Sequence, residues 1–244
     1  YWRDWSSDVC SSDLGLLRPP NFAAESAPFL KAGHLASVVR SRMAARGPNR
    51  IILPPFPCPT DTMGRPVIVS ACRTAIGKFQ GGLASFTAPQ LGGIAVKEAL
   101  TRAKVAPDQV DEVLMGCVLQ AGMGQNPARQ SLRLAGIPDS VAAVTINKVC
   151  GSGLKTVMLA AQAIKAGDLQ VAVAGGMESM SNAPYYLPTA RTGMRLGHAK
   201  ALDAIVWDGL WDHYNDFHMG NTAELVAKKY AVSRQDQDAY AVES

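Results

Sequence analysis

The chain has few aromatic residues, little charge for its length and no cysteine pair at short spacing. Phe, Trp and Tyr make up 7% of its 244 residues, and Asp, Glu, Lys and Arg 18%. No basic stripe with interleaved aromatics occurs, which argues against nucleic-acid binding. The formal net charge of +4 is spread thinly along the chain. No apolar run is long enough to span a bilayer, so no membrane-spanning helix is expected. The five cysteines are Cys10, Cys58, Cys72, Cys117 and Cys150. They are odd in number and widely spaced, and they form no Cys-x-x-Cys pair. That argues against a disulfide scaffold and against a metal site, so no metal ligand is expected. A reducing compartment fits best.

A hydrophobic content of 48% suits a well-buried α/β protein of one large or two modest domains. Residues 1–62 read differently from the rest. They carry eight of the fifteen prolines and show no sustained period of 2 or 3.6. Leu53-Pro-Pro-Phe-Pro-Cys-Pro59 excludes helix and interior strand. Leu35 to Arg50 is Arg-rich and acid-poor, as in a mitochondrial transit peptide. That reading is disfavoured by a second resemblance. Asp4-Trp-Ser-Ser-Asp-Val-Cys-Ser-Ser-Asp-Leu14 is similar to the conceptual translation of a synthetic sequencing adapter. Residues 1–62 are therefore expected to be a disordered, non-native leader, with Met63 as the natural start. A continuous genomic frame running upstream through residues 1–14 would exclude this.

From Met63 onward the pattern alternates. Val67 to Ala71, Val113 to Leu119, Val141 to Val149 and Val171 to Ala174 read as strands. Pro89 to Ala103, Pro127 to Leu134 and Ser152 to Ala166 read as helices, the last closed by Gly167. This alternation predicts a mainly parallel sheet covered on both faces. The largely apolar helix from Ser152 predicts a buried central helix. From Met177 the character changes: Glu178 to Asp216 reads as irregular, with a helical hint over Ala201 to Trp211, and helices return at Thr222 to Tyr230 and after Ser233, a good N-cap. The expected organisation is leader 1–62, an N-terminal domain 63–180 and a loop-rich domain 181–244.

One residue points at chemistry. Cys150 stands where a strand runs into Gly151-Ser-Gly153 and then a helix. Helix N-terminal N–H groups and the helix dipole favour thiolate over thiol. The two glycines allow a tight turn and close approach of a thioester. A buried cysteine acting as a small hydrophobe is the competing reading. A phosphate-binding turn is weaker, because the third glycine of a dinucleotide fingerprint and the Gly-Lys-Ser/Thr of a P-loop are missing. His218, alone before a helix, reads as structural on its own. Glu178 reads as a structural hydrogen-bonder, and Met177 and Met180 as core or pocket wall.

Five landmarks carry a resemblance. They are Val67-Ile-Val-Ser-Ala-Cys-Arg-Thr-Ala-Ile-Gly77, Gln125-Asn-Pro-Ala-Arg129, Asn147-Lys-Val-Cys-Gly-Ser-Gly153, Ala174-Gly-Gly-Met-Glu-Ser-Met-Ser181 and His218-Met-Gly220. In this order and spacing the stretch from Met63 to Ser244 resembles the thiolases, most closely the acetyl-CoA C-acetyltransferases. The resemblance implies a layered αβαβα fold, of which this chain holds the first βαβαβαββ half and part of the inserted loop domain. It implies that Cys150 is the acyl-carrying nucleophile, with its backbone N–H in an oxyanion hole. Leu210, His218 and Met219 are implied to line the acyl and pantetheine pocket, and the His-Met pair suggests short acyl chains. Acetyl-CoA, acetoacetyl-CoA and CoA are the implied substrates, with no cofactor besides. Tyr185 to Pro188 and Arg191 to Arg195 are implied assembly contacts of a homotetramer or homodimer. A cytoplasmic, bacterial-type enzyme is implied.

The family's general-base histidine, second catalytic cysteine and oxyanion-hole asparagine belong to the half not seen here. The 244-residue chain is therefore expected to be inactive alone and poorly folded. The runner-up readings are a degradative 3-ketoacyl-CoA thiolase of broader chain length and a non-catalytic thiolase-like lipid-binding protein.

Overall fold

The computed structural model describes residues 35–40 and 65–244. It separates into two compact units, one ending at Asn182 and the other Ala183–Ser244. The first unit is built on a five-stranded sheet. Its strands are β1 (Leu35–Arg40), β2 (Val67–Arg73), β3 (Glu112–Gly116), β4 (Ala142–Ile146) and β5 (Val171–Gly176). They lie in the order β2-β1-β5-β3-β4. β3 runs parallel to β4 and β5, whereas β1 runs antiparallel to both β2 and β5. The sheet is thus parallel except for one reversed strand.

Period-2 alternation distributes the strand side chains. Val113, Met115, Val171 and Val173 point to one face, where they join Ala95, Val96, Ala99 and Leu100 of α1 (Ala88–Ala103) and Ala128 and Leu132 of α2 (Pro127–Leu134). Leu114, Ala172 and Ala174 point to the other face and meet Ala160 and Ile164 of α3 (Ser152–Ala166). The result is helix, sheet, helix.

The helix limits have local causes. Gln90 Oε1 accepts the Thr87 N–H at 2.8 Å and begins α1. Asn126 Oδ1 accepts the Arg129 N–H at 3.3 Å, and Pro127 fills the first position of α2, where an N–H would have no helical partner. α3 ends where Gly167 turns left-handed at φ 88°.

Three expectations change. Residues 1–62 show no strand period, yet Leu35–Arg40 form the antiparallel strand inside the sheet, between β2 and β5. Ladder bonds from two neighbours supply what the local pattern lacks, and the buried Ser37 hydroxyl donates to Ala174 O at 3.0 Å. The remainder of 1–62, with the adapter-like stretch and the other features assigned to it, lies outside the described residues. The helix after Cys150 is not buried all round. Only the i, i+4 stripe Ser152, Thr156, Ala160, Ile164 is buried. Leu154 and Met158 are 62% and 50% exposed, because a single sheet covers a single face of the helix. Finally, the strand expected over Val113–Leu119 stops at Gly116: Cys117 N–H still donates to Ile146 O at 2.9 Å, but the Val118 and Leu119 amides turn to the Glu178 side chain.

The second unit has two small antiparallel pairs, β6 (Tyr185–Tyr186) with β7 (Leu202–Asp203), and β8 (Trp211–Asp212) with β9 (Phe217–His218). A π-helical turn, Ile205–Leu210, stands where an ordinary helix was hinted. α4 (Met219–Lys229) and α5 (Arg234–Glu243) follow, α5 capped by Ser233 as its sequence predicts. Tyr186 OH donates to Asp208 and ties β6 to the π-turn. Burial first, and the Asp208 carboxylate second, push the Tyr186 hydroxyl up to about 12.

Candidate active site

Cys150 is exposed and lies between β4 and α3, at the edge of the sheet where the parallel strands end. Cys72 and Cys117, also thiols, are buried. The reading as a core hydrophobe describes those two, whereas Cys150 is exposed. Cys72 donates to Ala95 O, and burial raises its thiol above the ordinary range.

The turn that presents Cys150 is tight and unusual. Val149 has φ 47°, the left-handed region. For a β-branched residue this is a true outlier, at a cost of about 1–3 kcal/mol. Five hydrogen bonds hold it, one of them from Ser152 N–H to Val149 O at 3.0 Å. Lys148 N–H donates to Ser152 Oγ at 2.8 Å, and Ser152 Oγ donates to Val149 O at 2.6 Å. Val149 N–H donates to Asn147 Oδ1 at 2.9 Å, and Gly151 N–H to Lys148 O at 3.1 Å. Sequence reasoning assigned the turn to the glycines and missed both Val149 and Ser152. No local signal marks a valine as left-handed.

Glycine serves the seat of the helix instead. A Cβ on Gly116 would stand 2.6 Å from Ser152 C and 2.8 Å from Gly153 N. A Cβ on Gly176 would stand 3.2 Å from Gly153 Cα. The first turn of α3 therefore rests directly on the ends of β3 and β5. The fully buried Thr156 hydroxyl lies 2.9 Å from Gly175 O and fastens the helix there. A Cβ on Gly153 itself would meet Gly176 N at 3.5 Å, an ordinary contact.

Glu178, just past β5, accepts the Val118 N–H at 2.8 Å and the Leu119 N–H at 3.1 Å. It organises the segment after β3, a structural role as its sequence suggested. Burial raises its carboxyl above the ordinary range, against the lowering effect of the two amides. Burial, with the Glu178 charge second, pushes the Cys117 thiol up as well. A raised carboxyl keeps its proton in the folded state at a pH where the unfolded chain has released it. Stability from this group therefore falls as pH rises through that window. Relative to Glu178→Gln, the chain is expected to lose stability from about pH 4.5, the ordinary glutamate value, upward. Urea unfolding of both proteins across a pH series checks this, and a difference that does not change with pH excludes it.

The three other predicted residues lie in the second unit and come together there. Trp211 pairs with His218 across β8 and β9, so Leu210 and Met219 flank that pair at the same end of the ladder. His218 caps α4, its Nδ1 accepting the Gly220 N–H at 2.9 Å. The neutral ring then carries its proton on Nε2. Met219, at the start of α4, is 36% exposed. The structural reading of His218 holds, and the cap also fixes the tautomer that a ligand would meet. Among the described residues, no group of three or more His, Cys, Asp or Glu could hold a metal ion. No described helix is long and apolar enough to cross a membrane.

Comparison with known proteins gives this geometry a family. A profile of the thiolase N-terminal domain matches residues 66–244. An acetyl-CoA acetyltransferase of Cupriavidus necator is 61% identical over 178 residues, 73% of this chain and 45% of that protein. Acetyl-CoA acetyltransferase 1 of Arabidopsis thaliana is 55% identical over 177 residues, 72% of this chain and 43% of that protein. Among solved structures, the Acat5 thiolase of Ascaris suum in complex with coenzyme A is similar at a TM-score of 0.68 and 44% identity. That match covers 72% of this chain and 45% of the other. The chain thus spans less than half the length of the curated relatives it matches. It belongs to the thiolase family, and residues 66–244 are its thiolase N-terminal domain.

Proposed function

We propose that this chain carries the nucleophile of an acetyl-CoA C-acetyltransferase. The observation that bears most weight is the single exposed thiol among the described residues, held on a strained turn at the head of α3. In this reading the Cys150 thiolate attacks the thioester carbonyl carbon of acetyl-CoA. The tetrahedral intermediate expels CoA, which leaves as the thiol after taking a proton, and Cys150 keeps the acetyl group. A second acetyl-CoA, deprotonated at its methyl carbon, then attacks the acetyl carbonyl. A new carbon–carbon bond forms, Cys150 leaves, and acetoacetyl-CoA is the product. In reverse, CoA cleaves acetoacetyl-CoA to two acetyl-CoA. The backbone N–H of Cys150 contributes to the oxyanion hole, where one donor is typically worth about 3 kcal/mol. Leu210, His218 and Met219 line the acyl and pantetheine pocket. CoA is a substrate, and no further cofactor takes part.

The groups that move protons are assigned to the part of the relatives this chain does not match. Nucleophile and base act as a unit, so the 244-residue chain is expected to turn over little or nothing, while the thiolate fraction of Cys150 can still take up one acetyl group. The full-length form assembles as a homodimer or homotetramer in a reducing, cytoplasmic setting.

The test is mass spectrometry of the chain after incubation with acetyl-CoA. One acetyl group on Cys150, with Cys72 and Cys117 unmodified, supports the reading. No adduct on Cys150, or one shared equally with Cys72 and Cys117, refutes it. Substantial thiolysis of acetoacetyl-CoA by the 244-residue chain would overturn the assignment of the proton-transfer groups.

A further inference from the structure

We infer that Ser152 is a positioning residue for Cys150: its hydroxyl locks Val149 in the left-handed conformation that aims the thiol. The inference rests on the reading of Cys150 as the acyl-carrying nucleophile.

Six non-glycine residues among those described have positive φ, and Val149 is the β-branched one among them. Its side chain is 49% exposed, so packing does not reward the conformation. Strain of this kind persists only where the surroundings over-determine it, and it clusters at functional sites. Around Val149 two of the turn's hydrogen bonds meet at one side-chain atom. Ser152 Oγ accepts the Lys148 N–H, one peptide upstream of Val149, and donates to the Val149 carbonyl. It therefore bridges across the strained residue, whose carbonyl also accepts the Ser152 N–H at 3.0 Å. Ser152 is 5% exposed, so water does not compete for these bonds.

The hydroxyl has no task in its own helix. The N-cap of α3 is Gly151, and no side chain caps it. At the first helical position alanine has the higher intrinsic propensity. The demand for a hydroxyl comes from the turn. Val149 is the last backbone unit before Cys150, so a change in its φ and ψ moves the Cys150 N–H and Sγ together. A misplacement of about 1 Å can cost about a hundredfold in rate.

Glycine occupies the left-handed region without penalty, and this supplies the test. In a Val149→Gly background the clamp is dispensable. Four proteins are compared: the unsubstituted chain, Ser152→Ala, Val149→Gly and the double variant. Two rates are read at Cys150 by peptide mass, alkylation by iodoacetamide and acylation by acetyl-CoA, while Cys72 and Cys117 report on folding. Ser152→Ala alone is expected to slow both reactions about tenfold or more, with Cys72 and Cys117 still protected. In the Val149→Gly background the same change is expected to cost about threefold or less. Ser152→Thr, which keeps the hydroxyl, is expected to restore much of the rate.

Equal losses in the two backgrounds would overturn the inference. So would labelling of Cys72 and Cys117 in Ser152→Ala, which marks a merely structural residue, or equal labelling of Cys72, Cys117 and Cys150 in the unsubstituted chain. Coupling seen in alkylation with no acylation in any of the four proteins leaves the clamp standing and refutes the acyl-transfer reading. Acylation without coupling refutes the clamp alone.

Discussion

Cys150→Ser is expected to slow acetyl transfer from acetyl-CoA roughly 10⁴-fold or more. The reason lies in the atom that attacks. A cysteine near neutral pH is partly thiolate and intrinsically nucleophilic, whereas a serine hydroxyl keeps its proton until a general base removes it. The exchange is close to isosteric, and the side chain is exposed, so the turn and the helix seat are left as they are. Thermal unfolding of the variant should therefore match that of the unsubstituted chain. The measurement is the rate at which the acetyl adduct accumulates. A loss smaller than about tenfold would show that another group accepts the acetyl chain.

Gly116→Ala is expected to destabilise the first unit by about 3 kcal/mol, the upper end for overpacking. The added methyl would lie 2.6 Å from Ser152 C and 2.7 Å from Ser152 Cβ. Those atoms belong to backbone and a buried residue, so no flexible tip can swing aside. The helix start must lift from the sheet, and the turn that carries Cys150 lifts with it. Alkylation of Cys150 should change along with stability. Gly82→Ala is the control, because nothing lies within 4 Å of the added carbon. Its effect should stay within about 0.5 kcal/mol. Urea unfolding of the three proteins decides the matter. Equal midpoints for Gly116→Ala and Gly82→Ala would mean that the close seat of α3 is not a constraint.

The elements legible in the sequence were those with a local signature. Pro127 at a helix start and Leu134 at its end bounded α2, and α3 ran from Ser152 to Gly167 as its pattern indicated. The exposed thiol at the strand-to-helix junction was legible for the same reason, since a strand, a cysteine and a Gly-x-Gly run are adjacent in the chain. What escaped depended on distant partners. Glu178 fixes amides about 60 residues away. Leu154 and Met158 look like core on a helical wheel, but what covers them is a matter of how many sheets are present. Val149 is left-handed because a hydroxyl three residues on demands it. Leu35–Arg40 carries no period of its own and becomes a strand through its neighbours' ladders.

That reversed strand has a kinetic consequence. The Ser37–Ala174 bond joins residues 137 positions apart, and closing so long a loop precedes any reward from the contact. A ribosome makes β1 first, yet β5 emerges last among the sheet's strands. Until then β2 and β1 can form at most a hairpin, which is marginal in water. The centre of the sheet is thus the last part to close. Before that moment the chain offers unpaired strand edges to any neighbour, the stage at which aggregation competes with folding.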